Sequence, residues 1–283
     1  MFDKYVFTLS DIDKEYIAKH LNETDEVRQA ALEETKKWLT DVRPDLHARL
    51  NDKHLLPFLR VCKFNLERTK EKLTNYYTMR RDRTEWFQNR DPLLPEIQEL
   101  VKLGVLIPLK ETFEGKLVVI IRTAAHDPWK HKQNDVFKTG KMLLDIAALE
   151  EEKAQIYGVT AIFDMAGVGL AHARQLTPSM IKQAVFAWQN YHCRPKQLEF
   201  VNAPLYINIV LKVFKSFLSA KLRERVRVHF GSIESLHQVV DQKILPPEYG
   251  GQGESMESLV VYWNEKLVDY KQWFANDEQY KAD

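Results

Sequence analysis

Three short apolar segments in the second half of the sequence constrain its fold more than any other feature. They are KLVVIIRT (116–123), GVTAIFDMAG (158–167) and QLEFVNAP (197–204). The first is a continuous run rich in β-branched residues, as is typical of a buried strand, and the other two predict a second buried strand and a third strand. The intervening segments 134–155 and 178–191 have helical periodicity, and Thr177 is the predicted cap of the second. Alternating strands and helices predict a mainly parallel sheet with helical crossovers.

Outside this alternating region the sequence is mostly helical. The N-terminal part has helical rhythm, with Ser10, Asn51 and Asn65 as predicted N-cap residues, until two prolines in NRDPLLPEI (89–97) interrupt it. The alternating segment RVRVHFGS (225–232) predicts a fourth, half-exposed strand. The predicted organisation is a helical N-terminal domain at 1–95, an α/β domain at 96–253 and a C-terminal helix at 254–283 that packs on the body.

The composition disfavours several classes of protein. The chain has 283 residues and a formal net charge of +1, so it lacks the global basic field that favours nucleic-acid binding. Its two cysteines, Cys62 and Cys193, form no CxxC or Cys/His array and suggest neither a disulfide framework nor a zinc site. No apolar run approaches the roughly 20 residues of a membrane-spanning helix, and the N-terminus does not read as a signal peptide. We therefore expect a soluble, cytoplasmic monomer with no metal and no nucleic-acid partner.

The sequence carries no familiar catalytic motif. It contains no G-x-S-x-G, P-loop, G-x-G-x-x-G or H-E-x-x-H pattern. Asp164 ends a predicted strand at the place where α/β folds often bind ligands, but no partner His or Lys accompanies it. We interpret Asp164 as a loop anchor and His172 as a structural histidine. The prediction is a protein without catalytic residues or cofactor, and an α/β hydrolase is disfavoured for want of a nucleophile.

One segment combines an apolar helix with a basic stripe. In VLKVFKSFLSAKLRERVRVHFGS (210–232), apolar residues at helical spacing are followed by a stripe of cations, Lys221, Arg223, Arg225 and Arg227. A helix that is apolar around most of its girth is normally buried, whereas a basic stripe faces water. From the residues alone, a membrane, a partner groove or a nucleic acid could each explain the combination.

Several motifs resemble, in matching order, the CRAL-TRIO lipid-transfer family. They are LLPFLRVCKFNLERTKEKLTNYY, GVTAIFDMAG, TPSMIKQAVFAWQNYHCRPKQLEFVNAP and ILPPEYGG, and the resemblance extends from about Asp52 to Gly251. It implies an α/β CRAL-TRIO domain preceded by an all-α N-terminal bundle. It also implies an apolar cavity between the sheet and a mobile gate helix, here 205–218. Within the family, the sequence is most similar to the branch that binds tocopherol (vitamin E) and retinaldehyde, with its insect relatives.

The resemblance implies two sets of site residues. A hydrophobic ligand would be held by residues of the strands, the flanking helices and the gate: Phe137, Leu144, Val159, Ala161, Phe163, Leu176, Val185, Trp188, Leu198, Phe200, Leu211, Phe214 and Leu218. A phosphoinositide headgroup would be bound by basic residues near the gate: Arg194, Lys196, Lys221, Arg223 and Arg225. Two departures from the family pattern are Cys62, which replaces a second arginine, and YHCR (191–194), which replaces Tyr-Pro-Leu-Arg.

The resemblance predicts a carrier rather than an enzyme. Such a carrier would bind one tocopherol-, retinoid- or carotenoid-like molecule and exchange it at membranes that contain phosphatidylinositol bisphosphate or a related lipid. Two alternatives share the fold. A phospholipid-exchange protein would need polar and basic groups inside the cavity, and a phosphoinositide-reading adaptor would have a vestigial cavity.

Overall fold

The N-terminal part of the chain is helical in the computed structural model, which describes residues 9–204, 207–230 and 233–283. The helices of this part are α1 (Asp11–Leu21), α2 (Asp25–Asp41), α3 (Asp52–Val61), α4 (Leu66–Asp82), α5 (Thr84–Phe87) and α6 (Pro95–Lys102). Side-chain oxygens of Ser10, Asn51 and Asn65 each accept a hydrogen bond from the backbone N–H three residues further on, at 3.3, 3.1 and 3.0 Å. The predicted caps therefore start α1, α3 and α4, because each satisfies a backbone donor that has no partner within the helix.

A five-stranded sheet forms the centre of the second half. Its strands are β1 (Leu106–Pro108), β2 (Leu117–Arg122), β3 (Val159–Asp164), β4 (Pro195–Val201) and β5 (Val226–Val228). They lie in the order β1-β2-β3-β4-β5, and β1 pairs antiparallel with β2 whereas the other pairs are parallel. The mainly parallel sheet predicted from the sequence is confirmed, and β1 is an edge strand that the sequence pattern did not reveal.

Helices connect and flank these strands. They are α7 (Gln133–Glu150), α8 (Glu152–Tyr157), α9 (Leu170–Gln175), α10 (Pro178–Gln189), α11 (Ile207–Phe217), α12 (Ala220–Arg223), α13 (Met256–Asp269) and α14 (Lys271–Asp277). Short 3₁₀ turns lie at Pro44–Leu46, Ile233–Gln238 and Pro247–Tyr249. The helix predicted at 134–155 is interrupted, because Glu151 has extended backbone angles (φ −105°, ψ 93°) between α7 and α8. Residues 205 and 206 of the predicted gate and 231 and 232 of the predicted fourth strand lie outside the described residues.

The C-terminal helices close onto both halves of the molecule. Helix α13 packs against α6, α7 and β1, and the indole Nε1 of Trp263 donates a hydrogen bond to the carbonyl of Pro108 at 2.6 Å. The carboxylate of Asp277 in α14 binds the guanidinium groups of Arg49, Arg80 and Arg90. Burial opposes ionisation of Asp277, but these cations outweigh it and hold the pKa of the carboxyl far below its usual range. Within the described ranges, no helix is long and apolar enough to cross a bilayer.

Candidate functional site

An apolar cavity of about 220 Å³ lies between one face of the sheet and helices α7, α10 and α11. On the same measure, a single water molecule needs about 10–15 Å³, so this space is an order of magnitude larger. Ile121, Phe163 and Phe200 lie opposite one another on β2, β3 and β4, and all three line the cavity. The rings of Phe163 and Phe200 are stacked with their centroids 4.6 Å apart. A row of large side chains near the carboxyl ends of the parallel strands thus forms the floor.

Helix α11 covers this floor. The ring of Phe214 lies 5.9 Å from that of Phe200 and 6.4 Å from that of Phe163, centroid to centroid. Leu211 and Leu218 are buried, whereas Lys212 on the other side of the helix is exposed. The helix packs sideways against α10. Helix α11, called the gate helix below, therefore presents an apolar face to the cavity and a polar face to solvent.

Most of the predicted cavity residues line the cavity. They are Phe137, Leu144, Phe163, Leu176, Val185, Trp188, Leu198, Phe200, Leu211, Phe214 and Leu218. The prediction is wrong for Val159 and Ala161, which are buried but do not reach the cavity. Both belong to the amino-terminal part of β3, whereas the cavity lies over its carboxyl end at Phe163 and continues to Met165. That the lining residues bind a ligand stays a prediction.

The lining also contains residues that the sequence did not single out, and Lys141 is the most informative of them. Its side chain lies on the cavity face of α7, among Phe137, Gly140 and Leu144. The ammonium nitrogen Nζ lies 4.6 Å from the ring centroid of Phe87 and 5.0 Å from that of Tyr191. Burial lowers the pKa of Lys141 to about 8. The sequence signal that could have identified Lys141 is its position as a cation within the apolar stripe of α7.

The two residues considered for catalysis have structural partners. The carboxylate of Asp164 accepts hydrogen bonds from the backbone N–H of Ala166 at 3.0 Å, the amide of Asn202 at 2.8 Å and the hydroxyl of Tyr249 at 2.7 Å. These bonds tie together the loops that follow β3 and β4 and the turn at 247–249. The geometry supports the interpretation of Asp164 as an anchor.

His172 lines the cavity, and both of its ring nitrogens contact the backbone. Nε2 lies 3.1 Å from the carbonyl oxygen of His126, and Nδ1 accepts from the N–H of Gly169 at 3.3 Å. With both nitrogens engaged, the ring has no free group to act as a base, which supports a structural histidine. Among the described residues, no group of His, Cys, Asp and Glu side chains could hold a metal ion.

Basic residues gather at the C-terminal end of the gate helix, next to the amino-terminal ends of β4 and β5. Burial, together with the charges of Arg194, Arg225, Lys221 and Lys63, lowers the pKa of Lys196 to about 8. The pKa of Lys221 is lowered first by Arg225, then by burial, Lys63, Arg194 and Arg68. Cations that depress one another's pKa values lie close together, so this group holds uncompensated positive charge.

We call this group the basic cluster; it comprises Lys63, Arg68, Arg194, Lys196, Lys221 and Arg225. Lys63 and Arg68 were not predicted, and Lys63 follows directly on Cys62, which occupies the position of the missing arginine. Arg194 has spare hydrogen-bonding capacity, since its buried Nε has no partner among the described residues.

Arg223 has a different position from the other predicted basic residues. Its guanidinium donates to the carbonyl of Lys215 at 3.2 Å and to that of Leu218 at 3.3 Å. The first carbonyl belongs to the last turn of the gate helix and the second to the residue that follows it, and a cation is favourable at this end of a helix. Arg223 therefore caps the gate helix, and it is not among the charges that shift the pKa of Lys196 or Lys221.

An apolar cavity between a parallel sheet and a covering helix, with uncompensated cations at the end of that helix, defines a class of α/β proteins that enclose a hydrophobic molecule. The chain belongs to the CRAL/TRIO domain family: the family's sequence profile matches residues 102–251. A second profile, described as a Pinta-like UBA domain, matches residues 24–97.

Individual relatives agree with this assignment. Clavesin-2 of Homo sapiens is 27% identical over 266 residues, which cover 93% of this chain and 80% of the relative. The alpha-tocopherol transfer protein-like protein of Homo sapiens is 27% identical over 275 residues, covering 96% and 79%. The crystal structure of Sfh5 superposes with a TM-score of 0.52 at 14% identity, covering 87% of this chain and 99% of Sfh5. The structural likeness supports the fold alone.

Proposed function

We propose that this protein is a carrier that encloses one hydrophobic small molecule in its cavity and exchanges it at membranes containing phosphoinositides. The observation that carries the proposal is the apolar cavity closed by the gate helix, whose last turn lies beside the basic cluster. Membership of the CRAL/TRIO domain family and similarity to an alpha-tocopherol transfer protein-like protein support it.

The cavity favours a ligand held mainly by apolar contacts. Burying roughly 400 Å² of apolar ligand surface yields on the order of 10 kcal/mol before the entropic costs of binding. Few polar contacts are therefore needed for stable retention. An adaptor with a vestigial cavity is disfavoured, because a space of about 220 Å³ is preserved between sheet and gate helix.

The basic cluster supports exchange at an anionic surface. Each cation near an anionic membrane contributes about 1 kcal/mol, and arginine binds phosphate oxygens in a bidentate manner. Arg223, which donates to the carbonyls of Lys215 and Leu218, lies between Lys221 and Arg225 in the chain, so a headgroup bound by those two residues could compete for its guanidinium. Competition for Arg223 would loosen that turn and let the apolar face of the gate helix meet the bilayer, so membrane binding and ligand release are coupled.

Filling the cavity tests the proposal. Ala184 of α10 lines the cavity, so Ala184→Trp should remove space for the ligand without burying a charge. We expect the variant to lose at least tenfold in affinity for tocopherol, retinaldehyde or a neutral fluorescent lipid, and to transfer none between vesicles. The control is Ala30→Trp at an exposed position of α2.

Fluorescence titration and vesicle-to-vesicle transfer measure the two properties, and circular dichroism checks folding. If folded Ala184→Trp protein retains and transfers these molecules as wild type does, the cavity is not the binding site and the carrier function is wrong.

A further inference from the structure

Lys141 brings an ammonium group to the cavity face of helix α7. Cavity-facing residues of α7 recur at helical spacing, and apart from Gln133 at its first turn and Lys141 they are apolar or glycine: Val136, Phe137, Gly140 and Leu144. The side chain of Lys141 is half-buried and lines the cavity. An amphipathic surface helix would turn such a cation to solvent. In this protein, the side chain of Lys141 instead faces an apolar cavity.

The contacts around Lys141 compensate its positive charge only in part. In the described part of the chain its contacts are the rings of Phe87 and Tyr191, and no hydrogen bond or ion pair to Nζ is found there. The carboxylate that acts on its charge, Asp145, is already engaged by Arg90 at 3.0 Å and by the hydroxyl of Tyr191. Cation–π contacts are worth about 0.5–2 kcal/mol and replace only part of the lost hydration.

The balance of charge around Lys141 is positive. Asp145 favours its charged form, whereas Arg90 and Arg80 disfavour it. Arg80 and Arg90 share the carboxylate of Asp277. With Arg49, which also binds Asp277, four cations thus meet two carboxylates, and Lys141 is the one of the four that lines the cavity. In the ligand-free protein, cavity water can solvate it; a purely apolar ligand would expel that water and leave a buried cation without a partner.

We propose that the ligand carries a carboxylate head that pairs with Lys141 while its apolar tail lies over the aromatic floor. The inference rests on the proposed function and narrows it to acidic lipids of the fatty-acid class. A carboxylate satisfies the ammonium through charge-assisted hydrogen bonds and neutralises the surplus charge. Tyr191 and Trp86, which line the same part of the cavity, have their polar atoms occupied by Asp145 and Asn134, so Lys141 supplies the free donor there.

The test compares ligands that share a chain and differ at the head. Oleic acid, oleyl alcohol and oleyl aldehyde are titrated at pH 7 against delipidated full-length protein loaded with a neutral fluorescent lipid. We expect wild type to bind the acid about tenfold or more tighter than the alcohol, as a hydrogen-bonded charge pair requires. Lys141→Met should lose this preference and keep its affinity for the alcohol.

The control is Lys138→Met, one turn earlier on the same helix. Lys138 is also buried, but it contacts the carbonyl of Asn89 at 3.5 Å and does not line the cavity. This variant should retain the wild-type preference for the acid. Thermal unfolding verifies that both variants fold, and in Lys141→Met the carboxylate of Asp145 keeps its bonds to Arg90 and Tyr191.

The outcomes separate the two proposals. Equal binding of acid and alcohol by wild type, or an unchanged preference in Lys141→Met, would overturn the carboxylate assignment and leave the carrier function standing. Tighter binding of the aldehyde, with a borohydride-trapped adduct on Lys141 formed through an imine and loss of water, would also overturn it. If wild type binds no lipid, including the neutral probe, the carrier function and this inference fail together.

Discussion

Lys141 makes the stability of the ligand-free protein depend on pH. The pKa of lysine is about 10.4 in an unfolded chain, whereas burial lowers that of Lys141 to about 8. Between these values the unfolded state binds more protons, so stability rises as pH increases from about 8 to 10. A difference of about two units corresponds to about 3 kcal/mol, which the folded protein forfeits at pH 7.

Removing the amine should therefore stabilise the ligand-free protein. We expect Lys141→Met to unfold at higher urea concentration than wild type at pH 7, by up to about 3 kcal/mol, with the difference shrinking towards pH 10. The neighbouring Tyr191 does not interfere, because burial raises the pKa of its hydroxyl well above 10. A constant difference at pH 7 and pH 10 would refute this account.

The same residues show what a sequence can reveal about a site. Alternation along β3 and β4 correctly gave the face that carries Phe163 and Phe200, because successive strand residues point to opposite sides. It could not say how far along the strand the cavity extends, and so Val159 and Ala161 were wrongly included. Lys141 was missed because helical periodicity does not tell which face of a crossover helix borders a void.

At the scale of elements, the gate helix links the two candidate sites. It starts near the carboxyl end of β4, crosses the sheet face over Phe163 and Phe200, and ends beside the basic cluster. Hydrogen bonds from Arg223 thus hold the C-terminal end of the gate helix, and aromatic contacts hold its middle. A displacement of the gate helix at the basic cluster would therefore also change the cavity that this helix covers.

Charge reversal in the basic cluster tests this link. We expect Lys196→Glu combined with Lys221→Glu to reduce binding to phosphoinositide vesicles at least tenfold, and to slow transfer of a loaded lipid to them. Ligand affinity in solution should change less than twofold. The defect should shrink with added salt, because exposed charges are screened over about 8 Å at physiological ionic strength.

The control carries Lys37→Glu and Lys243→Glu, which alter net charge equally at exposed positions elsewhere. Vesicle flotation and fluorescence transfer report the two effects. If both double variants lose vesicle binding to the same extent, net charge rather than the cluster is responsible.

The elements themselves differ in how well the sequence predicts them. β2 and β3 were predictable, since each is a largely buried run of apolar or β-branched residues, and β4 followed from Leu198, Phe200 and Val201 after a helical segment. β1 was not, because it consists of three residues ending in Pro108 and depends on pairing with β2 for its existence. The break at Glu151 was hidden by continuous helical rhythm on both sides.

At the scale of the whole molecule, Asp277 joins parts that are distant in sequence. Arg49 and Arg80 belong to the N-terminal half, and Arg90 extends the network to Asp145 of α7, behind the cavity. A buried carboxylate among three guanidinium groups is stable only while every partner is present. Helix α14, which carries Asp277, therefore helps to hold α7 in place behind the cavity.

Neutralising this carboxylate should destabilise the protein strongly. For Asp277→Asn we expect a loss of about 3–5 kcal/mol in the free energy of unfolding, because arginines would be left buried without a counterion. Asp283→Asn is the control: its carboxylate is exposed and contacts His47 at 2.6 Å, so it should cost less than about 1 kcal/mol. Urea denaturation at pH 7 measures both; equal losses would show that the buried network adds no more than a surface pair.

The aromatic lining gives the molecule an optical property. Trp86 packs against Phe137, 5.3 Å between centroids, in the part of the cavity near Lys141, whereas Trp188 lies 6.2 Å from Phe163 on the floor. Indole emission responds to the polarity around the ring and is quenched by a nearby conjugated chromophore. Two of the six tryptophans therefore sample different parts of the enclosed space. The loss of emission caused by a bound polyene should shrink by a different amount when Trp86 or Trp188 is replaced by Phe, and this difference would show which end of the polyene lies beside each ring.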